Sequence, residues 1–410
     1  MRGEIPISGA KNAALPAMAM ALLTPEACEL GAIPDLFDIE TLSEVMAHLG
    51  AQIRIDRGTL RVEVAELLRD EAPYDFVRKL RASVLLLGPL LARNGYARVS
   101  MPGGCAIGVR PVDQHLKAFE ALGAKISLTD GYIEASAKKL VGTRFAFDVV
   151  TVTGTINAMM AATAAQGTTI LENCAREPEV AYCAELLAMM GVDIRGAGSS
   201  TIELRGRQGL RGFASTLIPD RIETGTYMIA GAITEGDIRL KGARAKDLAA
   251  LNGAMRAVGV EIDEAPDSIQ VRGRRPFSPI EIVTAPHPGF PTDMQAQLMS
   301  LLCLAKGQSK ITETIFENRY MHVPELARMG ARVRVAGSVA TIEGVERFVG
   351  APVMATDLRA SASLVLAGLA AQGVTTVSRI YHLDRGYEAM ERKLSAVGAK
   401  IERVGNRGNA

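Results

Sequence analysis

The sequence predicts an α/β chain of two domains, built from six repeated units of about 70 residues, three to a domain, with buried helices inside and sheets outside. Three observations carry this expectation. First, an apolar residue, a glycine and an alanine or valine recur at Leu49-Gly50-Ala51, Leu122-Gly123-Ala124, Met190-Gly191-Val192, Val258-Gly259-Val260, Met329-Gly330-Ala331 and Val397-Gly398-Ala399. Second, each copy runs into residues of alternating polarity, such as Lys125-Ile126-Ser127-Leu128 or Arg332-Val333-Arg334-Val335, the period of a strand with one buried face. Each glycine is therefore expected to end a helix and start a strand. Third, each unit also contains a helix that is apolar on all faces, which implies burial all round.

In chain order, the buried helices are expected at 12–23, 80–93, 156–165, 223–234, 292–305 and 358–371, and amphipathic helices precede the glycines, for example at 38–49, 112–122 and 387–397. Five buried helices lead into short strands at 97–99, 168–170, 237–239, 309–311 and 374–376. The first unit has only residues 4–7 upstream, so that strand is assigned to the second domain's sheet. Apolar helices inside and half-buried strands outside invert the usual α/β barrel. The expected domains are 11–218, and 1–10 with 219–410, divided near Ile218-Pro219-Asp220, with a ligand site in the cleft between them.

Composition narrows the function classes. The 410 residues hold 46 basic and 45 acidic side chains with no long run of one sign, which argues against a nucleic-acid or membrane-surface partner. The apolar run at 13–23 is flanked by Gly-Ala-Lys-Asn and Thr-Pro-Glu, and reads as a core helix, not a leader. No apolar run reaches the ~20 residues a membrane span needs, so a soluble, cytoplasmic protein is expected. Five cysteines without metal-type spacing suit a reducing compartment and predict no metal. Nor does the chain carry a Walker loop, a dinucleotide fingerprint or a GxSxG elbow, and no cofactor is expected.

The most shaped loop is PGGCAIGVRP at 102–111, bounded by prolines that bar a regular helix or central strand. Two readings of Cys105 stay open on residue type: a thiol acting on an anionic substrate beside Arg110, or a small buried hydrophobe. Lys11 and Asn12 head the first buried helix. Asn12 suits its N-cap and Lys11 an anion at the helix N-terminus. Arg81 heads the second, as an anion ligand or a snorkelling surface residue. Pro111, Val112, Asp113 and Gln114 open an amphipathic helix, where Asp113 favours the dipole and His115 reads as structural. Asp220 and Asp293 precede buried helices as caps, but the stiff segment Pro286-His287-Pro288-Gly289-Phe290 also suits Asp293 to aim as a general base. Arg319, Arg359 and Arg385 head helices of the second half. With Lys11, Arg81 and Arg110 they form either a distributed clamp for phosphate and carboxylate or solvated surface charge.

Across nearly its whole length the chain resembles the enolpyruvyl transferases that act on UDP-N-acetylglucosamine and open bacterial peptidoglycan synthesis. Carrying the resemblance are SGAKNAALP at 8–16, PGGCAIGVRPVD at 102–113, AREPE at 175–179, PDRIETG at 219–225, TAPHPGFPTDMQAQ at 284–297, TIFENRYMHVPEL at 314–326, MATDLRASASLVLAG at 354–368 and RIYHLDRGYE at 379–388. The resemblance implies an inside-out α/β barrel of two domains that binds UDP-N-acetylglucosamine and phosphoenolpyruvate. It implies Cys105 as proton donor, able to form a covalent adduct with the phosphoenolpyruvate-derived group and open to the family's covalent inhibitor, the epoxide fosfomycin, and Asp293 as base. Lys11, Arg110 and Arg385 would hold phosphate, Arg319 and Arg359 the carboxylate, and Asn12 the reacting centre. Arg81, Arg110, Pro111, Val112, Asp113, Gln114, Asp293 and Ile315 would contact the UDP-sugar. Members commonly carry further residues before the first strand, which reads Met1 as a late start, and lysine and glutamate where this chain has Val149 and Ile156. The alternatives are transfer to shikimate 3-phosphate, whose enzymes lack the PGGCAIGVRP loop, and a catalytically silent paralogue that binds UDP-sugar.

Overall fold

The computed structural model describes residues 1–77, 80–101 and 112–405. They divide into two compact units, one within 9–218 and the other formed by Met1–Ser8 and the residues from 219 onward.

In the first unit the buried helices are Lys11–Met20, continued by a 3₁₀ turn at Ala21–Leu23, Leu87–Asn94 and Val152–Ala162. Phe37–His48, Asp113–Ala121 and Pro178–Met189 are the amphipathic helices. The second buried segment is not one α-helix from residue 80, because Arg81–Leu86 is 3₁₀. Pro89 has no N–H, and Gly88 donates its own to Asn157 Oδ1 at 2.8 Å, so the α-ladder cannot run back through this turn. Gly88 is obligatory there, since a Cβ would collide with the carbonyl oxygens of Asn157. Leu87, Leu90, Met159 and Met160 are fully buried where these helices pack, each contributing about 1.5–3 kcal/mol relative to exposure.

Five of the six repeats share one sheet pattern: an edge strand runs parallel to a central strand, which pairs antiparallel with a hairpin. Glu71–Ala72, Tyr96–Ser100, Tyr132–Ser136 and Lys125–Thr129 make one such sheet. In the sheets built on Tyr96–Ser100, Thr168–Glu172 and Gln308–Thr312 the edge strand comes from the segment that follows the preceding hairpin. Ala214–Thr216, after the third hairpin, returns to pair with Cys28–Gly31 of the first sheet and closes the ring. In the second unit the corresponding edge is the N-terminal strand Arg2–Pro6, parallel to Asp237–Lys241, as the missing upstream strand predicts. All six repeat glycines are left-handed, with φ between 90° and 111°, as helix-terminating residues should be.

The sixth repeat departs from the expectation. Among the described residues no strand follows Gly398. In the other repeats a return strand pairs with this one, as Val339–Glu343 pairs with Arg332–Ala336; among the described residues, 399–405 have no such partner strand. The sheet of this unit is reduced to the pairs Phe348–Val349 with Ala371–Gln372 and Pro352–Met354 with Thr376–Ser378, and its amphipathic helix is short, Met390–Ala396.

The N-terminal strand is tied down by a buried polar knot. Ser8 N donates to Glu223 Oε2 at 2.7 Å, and Lys393 Nζ donates to Ser8 Oγ at 2.6 Å and Glu223 Oε1 at 2.7 Å. Burial raises the Glu223 carboxyl from 4.5 to about 7, against the opposing pull of Lys393. A carboxyl whose folded pKa lies above its unfolded one stabilises the fold at low pH, and that contribution is lost as pH rises through the folded value. Glu223→Gln is therefore expected to flatten the fall in urea midpoint between about pH 4 and about pH 8. An unchanged fall would place its source elsewhere.

Candidate active site

In the first unit Lys11 begins its helix with its ammonium 3.2 Å from Asp38 Oδ2, which lies in the first turn of Phe37–His48. Both side chains are mostly buried, so the anion expected beside Lys11 is supplied, in this state, by the protein itself. Asn12 does not cap this helix. Ala10 N is held by Ile218 O at 2.8 Å, which puts the cap position at Ala10, and no side chain bonds there. The amide of Asn12 instead stands in the first helical turn beside Lys11.

Val112 is the residue before helix Asp113–Ala121, and Asp113 is its first, acidic position. Gln114 is buried and its amide is committed to the fold: Nε2 donates to Asp113 Oδ2 at 2.9 Å and Asp148 Oδ2 at 3.0 Å, while Oε1 accepts from Asp148 N at 2.9 Å. His115 is structural, as expected. Asn157 Nδ2 donates to its Nδ1 at 2.9 Å, and Thr153 Oγ1 lies 3.2 Å from Nε2.

In the second unit three of the expected residues come together around one carboxylate. Arg319 Nη2 donates to Asp293 Oδ1 at 2.7 Å, and Arg359 Nη2 to Asp293 Oδ2 at 2.9 Å. The arginine side chains are 3% and 5% exposed and that of Asp293 is 28% exposed, so the aspartate is the part of the cluster that meets solvent. Asp293 is not a cap: it lies inside the turn Thr292–Met294, whose cap position is Pro291. Asp220 and Asp357 are caps, each accepting from two backbone N–H groups of its own helix. Asp357 thereby fixes Arg359 in the first turn of Leu358–Leu369.

Arg359 is further steadied from below. Its Nη1 lies 3.3 Å from Tyr387 Oη, which is 2.9 Å from Thr226 Oγ1 and accepts from Gln297 Nε2 at 3.2 Å. Burial alone would lower the pKa of this guanidinium, but the Asp293 carboxylate, followed by Tyr387 and Asp220, raises it instead. A permanently charged guanidinium in a dry setting is a strong site for an anion.

Glu313 was missed by sequence reasoning. It is buried, with Oε1 accepting from Ile315 N at 2.8 Å and Thr284 Oγ1 at 3.0 Å, and Oε2 from Thr292 Oγ1 at 2.9 Å. One carboxylate thus sets both Ile315 and the residue before Asp293. A lone glutamate after a strand gives no local signal of this. Arg385 ends the 3₁₀ turn Ile380–Arg385, which packs on the helix that carries Arg359.

Cys105, Arg110 and Pro111 lie outside the described residues, as does the side chain of Arg81. The other four cysteines are buried free thiols. Among the described residues no group of His, Cys, Asp and Glu could hold a metal ion, and no helix is long and apolar enough to cross a membrane.

Residues 1–394 match the family model described as EPSP synthase (3-phosphoshikimate 1-carboxyvinyltransferase). The chain is 55% identical to the UDP-N-acetylglucosamine 1-carboxyvinyltransferase of Anaeromyxobacter dehalogenans, over 98% of this chain and 97% of that one. It is 52% identical to the enzyme of the same name from Desulfatibacillum aliphaticivorans, again over 98% and 97%. Among solved structures it is similar to the enolpyruvyl transferase NikO from Streptomyces tendae, with a TM-score of 0.89 and 29% identity over 98% of this chain and 95% of that one. EPSP synthase from Acinetobacter baumannii, at 18% identity and a TM-score of 0.76 over 98% and 96%, shares the fold.

Proposed function

The chain belongs to the enolpyruvyl transferases, and among them to the UDP-N-acetylglucosamine 1-carboxyvinyltransferases, and from that premise we propose how its residues divide the reaction. The enolpyruvyl group of phosphoenolpyruvate passes to the 3′-hydroxyl of UDP-N-acetylglucosamine and phosphate leaves, the step that commits the sugar to peptidoglycan in the cytoplasm. Asp293 takes the hydroxyl proton as the oxygen bonds to C2, and Cys105 gives a proton to C3. In the second half C3 loses a proton, the C2–O bond to phosphate breaks, and the double bond returns. Lys11, Arg110 and Arg385 hold the phosphate, Arg319 and Arg359 the carboxylate, and Asn12 the reacting centre. Arg81, Arg110, Pro111, Val112, Asp113, Gln114 and Ile315 face the UDP-sugar, Gln114 through its backbone because its amide is engaged. No metal or cofactor is called for.

The observation that carries this reading is the Asp293 carboxylate shared by two buried arginines. With both oxygens engaged, Asp293 is a poor proton acceptor until an oxygen is released. The carboxylate of phosphoenolpyruvate competes for the same guanidiniums, so its arrival would draw them off and free the base. The substrate would thus prepare its own catalyst.

Phosphate release from phosphoenolpyruvate is expected with UDP-N-acetylglucosamine and not with shikimate 3-phosphate. Release only with the latter would make the chain the rival enzyme, and release with neither, alongside UDP-sugar binding, would make it a silent paralogue.

A further inference from the structure

The residues after Gly398 stand where the other units continue into a strand, and here they make a different connection. Arg403 Nη1 donates to Asp384 Oδ2 at 3.0 Å and Nη2 to Asp384 Oδ1 at 2.6 Å, a two-point contact. Its Nε also lies 3.4 Å from Glu391 Oε1 in helix Met390–Ala396. Asp384 is 3% exposed and directly precedes Arg385. A fork-on-carboxylate pair fixes the plane of the carboxylate as well as its distance, and so restrains the backbone from which Arg385 departs.

The turn needs such a restraint. It begins after Arg379, at φ 58°, and it is 3₁₀ rather than α, ending where Gly386 N and Tyr387 N both donate to Leu383 O at 2.9 Å. Short 3₁₀ segments have weaker ladders than α-helices, and a small rotation at residue 384 is amplified along the long side chain of 385.

We propose that Arg403 is a positioning residue for enolpyruvyl transfer: by clamping Asp384 it fixes the placement of Arg385 against the phosphate of phosphoenolpyruvate. This rests on the reading of Arg385 as a phosphate ligand, and the experiment separates the two. Phosphate release is measured with each substrate varied, for Arg403→Leu, Arg403→Lys, Arg385→Ala and the double variant Arg403→Leu/Arg385→Ala. Arg403→Leu is expected to lower kcat/KM for phosphoenolpyruvate about ten- to a hundredfold while KM for UDP-N-acetylglucosamine stays within about twofold. Arg403→Lys, which keeps the charge but not the fork, should fall between. The double variant should be no worse than Arg385→Ala, because a residue acting only through Arg385 has nothing left to position. Equal losses toward both substrates, multiplying effects in the double variant, or wild-type kinetics for Arg403→Leu beside an impaired Arg385→Ala would each overturn the proposal. Wild-type phosphoenolpyruvate kinetics for Arg385→Ala would instead overturn the reading on which it rests. Should Arg403→Leu fail to fold, the same cycle is run with Arg403→Lys.

Discussion

Asp293→Asn is expected to lower kcat by about two to four orders of magnitude, the span that loss of a positioned general base commonly costs, while the Kd for UDP-N-acetylglucosamine changes only a few-fold. Asparagine keeps the shape of the side chain and can still accept from one guanidinium, so the turn Thr292–Met294, anchored independently by Thr292 on Glu313, should hold its place. What disappears is the proton acceptor and one negative charge. Arg319 and Arg359 then lack the carboxylate that both contact at 2.7 and 2.9 Å, so the carboxylate of phosphoenolpyruvate no longer has to compete for them. KM for phosphoenolpyruvate should therefore stay level or fall as kcat falls, the pattern of a lost transition-state interaction with relief of ground-state competition. Calorimetry for the sugar and phosphate release for turnover give the two numbers. A loss of sugar binding as large as the loss of rate would show that Asp293 binds the sugar and does not act as its base.

The repeat was legible because each unit carries its own punctuation. A glycine at the end of a helix takes a left-handed conformation for local reasons, and the six glycines have it. The same local logic failed after Gly398, where an alternating run reads as a strand whether or not a partner exists to complete its hydrogen bonds. It failed again at Asn12, whose residue type suits a cap but whose neighbour Ala10 is pinned by Ile218, far along the chain.

The site was legible as residue types and not as pairings. Asp293 meets arginines 26 and 66 residues away, separations at which no periodicity operates. Lys11 at a helix start calls for an anion, and Asp38 fills that place; only tertiary packing brings those helix starts together. Glu313 and Arg403 were invisible for the same reason. Each looks like one more charged residue until its partners are seen.

Cys105→Ser is expected to abolish both turnover and covalent labelling by the epoxide fosfomycin. In that labelling the thiolate sulfur bonds to an epoxide carbon, the carbon–oxygen bond breaks, and the resulting alkoxide takes a proton. The reaction requires a thiolate, and the described thiols resist forming one. Burial pushes Cys28 up to about 11 and Cys174 and Cys303 up to about 12, and raises Cys183 as well. A thiol near 11 is ionised to only about one part in ten thousand at neutral pH, and burial also denies the reagent access. In the proposed mechanism the contrast is the glycine-rich sequence around Cys105, where Arg110, five residues on, would favour the anion. Serine cannot substitute in either role, since its hydroxyl is a far weaker acid than a thiol and a far weaker nucleophile at this pH. Mass spectrometry of the intact chain should find one adduct on the parent protein and none on the variant, with peptide mapping placing it on 105. An adduct that survives the substitution, on Cys28, Cys174, Cys183 or Cys303, would assign the chemistry to the wrong thiol and remove the proton donor from the proposed mechanism.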